Sequence, residues 1–249
     1  MKLDTRGRFY IPKGNSLKNI ERTLAHFLGV LDAYSILAMA GILGPLVLVA
    51  LDIAAAVSEP KYSLIRDSIS ALGLTSLGWV QTIGFVVFGL LVEIFTAGLF
   101  LNIRRRHLFD LGIGLLTFFG FGLALIGIFR TDPIGAVPTL SGRIHVTAAY
   151  SVIGLFPVAL ALLLSSIWED HHWRWLFHFT IVTGILALVL AIGRLFLPQN
   201  ISWFGLYERI LVADVIVWVE ITAIWLFLLS IRRRRKPNRL SVFLRSRYK

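Results

Sequence analysis

Six long apolar stretches run through this sequence of 249 residues, and they constrain its fold more than any other feature. A helix needs about 20 mostly apolar residues to cross the roughly 30 Å hydrocarbon core of a bilayer. The stretches are continuous rather than alternating, which argues against the strands of a membrane barrel. We therefore predict an all-α, polytopic membrane bundle with spanning helices at residues 33–57, 77–102, 109–129, 143–167, 176–197 and 207–231.

The basic residues are distributed unevenly among the connecting segments, and this predicts the orientation. Nineteen of the 25 Lys and Arg lie before the first helix, after the last one, or in the second and fourth connections. The positive-inside rule places such segments in the cytoplasm, and an even number of helices also puts both termini on one side. We expect a basic cytoplasmic segment 1–32, a transmembrane domain 33–231 and a basic cytoplasmic tail 232–249, with the protein in the cytoplasmic membrane.

Composition and charge exclude several classes of partner and cofactor. The net charge of +11 follows the topology, so we expect the tail to contact anionic lipid headgroups rather than nucleic acid. The chain has no cysteine, which excludes disulfides, thiolate catalysis and Cys-ligated metals. A single outer histidine with scattered carboxylates is not the pattern of a metal site. Membrane lipids are thus the expected partners, no cofactor or metal is expected, and the oligomeric state stays open.

Six basic residues, five of them arginines, depart from this uneven distribution of Lys and Arg. They are predicted to lie on the face of the membrane opposite the termini. Ionisable side chains near a bilayer are functional candidates. With neighbouring acids these arginines would form a polar pocket for a phosphate, carboxylate or other anionic headgroup, because a guanidinium binds such groups through paired hydrogen bonds. The ligand-binding candidates are Arg66, Arg130, Arg143, Arg194, Tyr207, Glu208 and Arg209.

One histidine, His145, is predicted on that outer face, and it is the candidate general base. Ser141 lies four residues earlier and therefore on the same helix face. An acidic side chain would orient the imidazole, and a serine hydroxyl would be the nucleophile. The candidate acids are Asp67, Asp132 and Glu208, and the candidate serines are Ser141, Ser68 and Ser70.

Two further interpretations stay open. The same residues would also suit an ion-pair network that closes the bundle, or a ligand site without chemistry. Acidic residues inside the predicted spans suggest instead a non-enzymatic transporter or accessory membrane protein with a proton path, or protonated carboxyls that hydrogen-bond between helices. These intramembrane acids are Asp52, Glu93, Asp214 and Glu220.

Four segments of the chain carry a family resemblance: YSLIRDSISALG (62–73), GIFRTDP (127–133), TLSGRIH (139–145) and GLYERIL (205–211). Together they resemble the DUF998 family, six-helix prokaryotic membrane proteins of unknown function. The resemblance implies that certain residues occupy family motif positions, without implying a reaction. These residues are Asp67, Ser70, Asp132, Gly142 and His145.

A looser similarity links the chain with the ceramidase-like membrane hydrolases. Ser141 and His145 reproduce the S-x-x-x-H pattern of those enzymes, whereas their late H-x-x-x-H metal pair is absent from helices five and six. Taken together, the sequence predicts an outward-facing polar pocket that binds a lipid headgroup or another anionic ligand. One interpretation of its function is a hydrolase or transferase that uses His145 as acid or base, and the other is the non-enzymatic transporter or accessory membrane protein.

Overall fold

The structure, a computed structural model, describes residues 2–3, 9–10 and 33–235. Two short strands, β1 (Lys2–Leu3) and β2 (Phe9–Tyr10), pair antiparallel. Six long helices follow, each long and apolar enough to cross a membrane, so the prediction of a six-helix bundle is confirmed. They are α1 (Ala33–Val57), α2 (Gly78–Asn102), α3 (Phe109–Ile128), α4 (Leu140–Glu169), α5 (Phe177–Phe196) and α6 (Phe204–Arg235).

The helices form a closed arrangement in which each packs against the next along the chain and α6 packs against α1. Ser35 near the start of α1 and Ser230 near the end of α6 have their hydroxyl oxygens 2.8 Å apart. We call this end of the bundle the proximal end and the opposite one the distal end. The basic segments predicted at 1–32 and 232–249 lie almost entirely outside the described residues.

Small residues bring the helices close together. A Cβ atom on Gly89 of α2 would lie 2.6 Å from the carbonyl oxygen of Gly120 and 2.8 Å from the amide nitrogen of Ala124, both on α3. Because lipid is as apolar as the helix surfaces, such close packing supplies the attraction that apolar burial gives in water. Nearer the centre, the rings of Phe119, Phe156 and Trp218 join α3, α4 and α6 with centroids 5.3 and 5.7 Å apart.

The connection between α1 and α2 covers part of the distal end. It contains a 3-10 helix at Ile69–Leu74, whose first turn is capped by the Ser68 hydroxyl accepting from the Ala71 amide. Ile69 and Leu72 are buried, which fixes the segment on the bundle. The polar residues of this segment are thereby presented to the centre of the distal end.

Candidate functional site

A pocket of about 350 Å³ opens at the distal end, which we call the distal pocket. Its volume lies in the range of sites that hold small ligands. The α1–α2, α3–α4 and α5–α6 connections and the distal halves of α4, α5 and α6 contribute to its wall. Its polar lining residues are Arg66, Asp67, Ser68, Ser70, Thr131, Asp132, His145, Tyr150, Arg194, Gln199, Asn200 and Glu208.

A serine and a histidine are hydrogen-bonded in the wall of this pocket. His145 Nδ1 lies 2.7 Å from the carbonyl oxygen of Phe129 and 3.1 Å from that of Ile126. A carbonyl oxygen only accepts, so Nδ1 carries the proton, and Nε2 of the neutral ring is the acceptor. Ser70 Oγ lies 3.0 Å from Nε2 and donates to it. This is the arrangement of a serine nucleophile and its base.

The end of α3 supplies the group that orients His145. The last carbonyls of a helix have no partner within the helix, and those of Ile126 and Phe129 accept from Nδ1 instead. The sequence predicted that Asp67, Asp132 or Glu208 would orient the His145 ring. In the structure these carboxylates bind other groups instead. A main-chain oxygen that binds a side chain cannot be recognised from the identity of its residue. The predicted end of the third helix near residue 129 was the sequence feature that could have indicated this partner.

Asp132 holds Thr139, the N-cap residue of α4, and so helps to position the helix that carries His145. Its carboxylate accepts from the Thr139 hydroxyl at 2.8 Å and from the Thr139 amide at 2.9 Å. Thr139 Oγ1 in turn accepts from the amide of Gly142 at 3.0 Å, as an N-cap residue does. The Asp132 carboxylate also occupies the space that a Cβ on Gly142 would need. These contacts join two of the motif segments, 127–133 and 139–145.

Asp67 stabilises the turn that precedes the 3-10 helix. Its carboxylate binds Arg66 through two hydrogen bonds of 2.8 and 2.9 Å and accepts from the Ser63 amide at 2.8 Å. The hydrogen bond from Arg66 holds the pKa of Asp67 below its usual value. Asp67 is therefore an ionised structural residue that also lines the pocket.

Arg209 attaches the same connection to α6. Its guanidinium donates to the carbonyl oxygens of Leu64 at 2.8 Å and Asp67 at 3.2 Å. It also donates to the Tyr62 hydroxyl at 2.6 Å and lies 3.9 Å from the carboxylate of Asp52 on α1. Burial raises the pKa of Tyr62 to about 12, which keeps its hydroxyl protonated. Arg209 thus joins α1, the connection and α6 rather than facing the pocket.

Glu208 and Arg194 face the pocket from α6 and α5. A Glu208 carboxylate oxygen accepts from the Ile69 amide at 2.9 Å, which ties the 3-10 helix to α6. The Arg194 guanidinium lies 5.1 and 4.9 Å from the ring centroids of Tyr150 and Phe204 and is largely buried. Aromatic faces hold a cation in place by electrostatic attraction. Arg194 is therefore a fixed positive charge in the wall of the pocket that the Ser70–His145 pair also lines.

The other predicted site residues lie at the distal end but outside the lining of the distal pocket. Ser141 donates to the carbonyl oxygen of Arg130, so the structure pairs His145 with Ser70 instead. Arg130 lines a smaller neighbouring cavity. Arg143 lines a groove between α3 and α4. The Tyr207 hydroxyl donates to a main-chain oxygen of α5.

The intramembrane acids also lie outside the distal pocket. Asp52 accepts a hydrogen bond of 3.3 Å from Gln81 near the distal end. Asp214 is buried in α6 without lining the distal pocket. One carboxylate oxygen each of Glu93, Asp214 and Glu220 is buried without a hydrogen-bond partner among the residues described. Among all the residues that the structure describes, no group of three or more His, Asp or Glu side chains is placed to hold a metal ion.

The fold and this pocket define an integral, polytopic membrane protein with a polar site at one end of its bundle. The chain belongs to the family described as "Protein of unknown function (DUF998)", whose sequence model matches residues 42–230. That match confirms the resemblance, and it spans all four motif segments. Searches among curated proteins and solved structures found no match.

Proposed function

We propose that this protein is a membrane-embedded serine hydrolase or transferase acting on a lipid-like ester with an anionic headgroup. The hydrogen bond of 3.0 Å between Ser70 Oγ and His145 Nε2, with Nδ1 held by main-chain carbonyls, carries this proposal. Both residues line a pocket large enough for a small ligand. The nucleophile is thus within hydrogen-bonding distance of the base, and the base is within hydrogen-bonding distance of its orienting group, as this chemistry requires.

In the reaction, His145 Nε2 takes the hydroxyl proton while Ser70 Oγ attacks the ester carbonyl carbon. The imidazolium that forms keeps its Nδ1 hydrogen bond to Phe129. It then gives the proton from Nε2 to the departing alkoxide, which leaves as an alcohol. In the second half of the reaction, water in hydrolysis or a second alcohol in transfer attacks the acyl group on Ser70, and His145 Nε2 accepts the proton of the attacking group. His145 then returns this proton to Ser70 Oγ as the acyl bond breaks, which releases the acid or the new ester.

One buried arginine of the pocket wall, Arg194, supports an anionic headgroup. Its guanidinium is held against two aromatic rings, whereas the more exposed guanidinium of Arg66 at the rim is already paired with Asp67. Charge-assisted hydrogen bonds from such groups are roughly twice as strong as neutral ones. The acids nearby already bind partners of their own, Asp67 with Arg66 and Glu208 with the Ile69 amide.

The orientation of the protein in the membrane is part of the same proposal. The basic residues concentrate in the segments at the proximal end, which the positive-inside rule places in the cytoplasm. The distal pocket would then face the outside of the cytoplasmic membrane. Its substrate would be an amphiphile of the outer leaflet.

A comparison of cellular lipids tests this proposal. Cells lacking the protein would be complemented with the wild type, Ser70→Ala, His145→Gln or Ser151→Ala. Ser151 is the control, because its hydroxyl bonds within α4 at Thr147, away from the distal pocket. We expect a lipid species to accumulate in the deletion, Ser70→Ala and His145→Gln strains and to be cleared by the other two. Unchanged lipids, or full complementation by Ser70→Ala, would contradict the proposal.

Proton-coupled transport is the second candidate function. Buried carboxylate oxygens of Glu93 and Glu220, without hydrogen-bond partners in the described residues, favour it. Ionisable groups within a bundle commonly mark proton or ion paths. Proton flux into liposomes that Glu93→Gln abolishes and Ser70→Ala leaves intact would support transport over hydrolysis.

A further inference from the structure

A second, smaller cavity also borders the Ser70–His145 pair, and we call it the rear cavity. Ser70, Thr131 and His145 line both this cavity and the distal pocket. The rest of the rear cavity is lined from the start of α2, the end of α3 and the connections beside them, whereas α4, α5 and α6 contribute to the distal pocket. Its further polar lining residues are Gln81, Thr82 and Arg130.

The size of the rear cavity suits a single water molecule. Its volume is about 20 Å³, against about 350 Å³ for the distal pocket. A buried water needs a space of roughly 10–15 Å³ and two to four polar partners. The rear cavity meets both conditions, and it is too small for an alcohol that carries a hydrocarbon chain.

Gln81 presents an acceptor that a water would satisfy. Its side chain is 3% exposed, and its amide nitrogen Nε2 donates to Asp52 Oδ1 at 3.3 Å. Because that hydrogen bond uses the donor end of the amide, Oε1 remains as an acceptor. Oε1 is buried without a hydrogen-bond partner among the described residues. Buried polar atoms nearly always have a partner, and an ordered water is a common one.

We infer that the rear cavity holds an ordered water that donates to Gln81 Oε1, and that this water hydrolyses the acyl group on Ser70. The inference rests on the proposed function and narrows it from a hydrolase or transferase to a hydrolase. Gln81 is then a positioning residue, because it acts on the reaction through the water that it holds.

The hydrogen bonds of His145 fit this order of events. In the free enzyme Nε2 accepts from Ser70 Oγ. Acylation removes that donor, and Nε2 is free again once the leaving alcohol has taken the proton. The oxygen of the water then attacks the acyl carbon while its proton passes to Nε2. Nε2 returns the proton to Ser70 Oγ as the bond to the acyl carbon breaks, and a carboxylic acid leaves.

Burst kinetics of the purified protein with p-nitrophenyl butyrate, an activated ester, test the inference. The burst of nitrophenol reports acylation of Ser70, and the steady rate that follows reports deacylation by water. Gln81→Met keeps the length of the side chain and removes the amide. We expect a burst rate within about twofold of the wild type and a steady rate slowed about tenfold or more, because the water is no longer held in position.

Thr96→Val is the matched control. Thr96 lies about 22 Å further along α2 and lines neither cavity. Its hydroxyl oxygen is likewise buried without a partner among the described residues. Both rates of this variant should equal those of the wild type. A normal burst followed by wild-type deacylation in Gln81→Met would overturn the inference.

A cryo-EM structure of the wild type that resolves ordered waters is a second measurement, which does not depend on the folding of a variant. We expect one water within about 3.2 Å of Gln81 Oε1. If Ser70 is acylated but the rear cavity is dry, this inference fails and the proposed function stands. If the wild type shows neither a burst nor an acyl adduct on Ser70, the proposed function fails, and the nucleophilic role of the water fails with it.

Discussion

His145 uses its two ring nitrogens for different purposes. Nδ1 is fixed by carbonyl oxygens at the end of α3, and Nε2 accepts from Ser70. A carbonyl oxygen fixes the tautomer and the ring orientation as a carboxylate would, but it brings no full negative charge to stabilise the imidazolium. At the scale of single residues, the main chain therefore orients His145, while Arg194 has a separate proposed role, the binding of the anionic headgroup.

Arg194→Gln should weaken the binding of an alkyl phosphate, used as an anionic amphiphile, at least tenfold, because a charge-assisted hydrogen bond contributes about 1.5–3 kcal/mol. Arg143→Gln is the matched control, since Arg143 lines the groove between α3 and α4 instead of the distal pocket. Native mass spectrometry of both variants measures the effect. Equal losses in the two variants would show that overall charge, and not the pocket, attracts the anion.

At the scale of elements, the start of α4 depends on a glycine. Gly142→Ala should lower the free energy of unfolding by about 1–3 kcal/mol, because its Cβ would overlap the Asp132 carboxylate. Gly154→Ala on the same helix has open space around the new methyl group and should be neutral or slightly stabilising. Thermal unfolding of both variants in detergent checks this, and similar shifts would contradict the close packing of Asp132 against the start of α4.

The turn that precedes the 3-10 helix should weaken in acid. The pKa of Asp67 is held low in the folded state, so its contribution to stability is full above the unfolded value of about 3.9 and is lost as the pH falls through the lower folded value. Wild-type protein should therefore lose more thermal stability between about pH 6 and pH 3 than Asp67→Asn does.

The control for this experiment is Asp110→Asn. Asp110 is an exposed residue at the proximal end, 3.9 Å from Arg105, and exposed pairs of this kind contribute little. This variant should follow the wild type across the pH range. Parallel curves for the wild type and Asp67→Asn would show that the Arg66–Asp67 pair does not support the turn.

The elements and the end of the bundle that carries the site could be predicted from sequence, but the direction of each side chain could not. Hydropathy and charge are read along the chain, and they located the six helices and the distal cluster. Arg209 and Arg194 follow the same pattern in sequence, yet packing turns one toward Tyr62 and Asp52 and the other into the pocket. Likewise, Ser141 has the helical spacing to meet His145, but Ser70 from another element does so.

At the scale of the whole molecule, the two ends of the bundle should lie on opposite sides of the membrane. The chain has no cysteine, so single cysteines can be introduced without background. In intact cells, a membrane-impermeant maleimide should label Ile134→Cys in the exposed α3–α4 connection at the distal end. Arg105→Cys, at the proximal end, should react only after permeabilisation. The reverse pattern would invert the proposed orientation.

Covalent labelling of the purified protein by a small fluorophosphonate tests the central claim most directly, because only an activated serine reacts rapidly. Intact mass and peptide mapping would identify the modified residue in the wild type, Ser70→Ala, His145→Gln and Ser151→Ala. We predict one adduct on Ser70, its absence in Ser70→Ala, normal labelling of Ser151→Ala, and labelling of His145→Gln slowed by about 100-fold or more. An unlabelled Ser70 in the wild type, or equal rates with and without His145, would contradict the account.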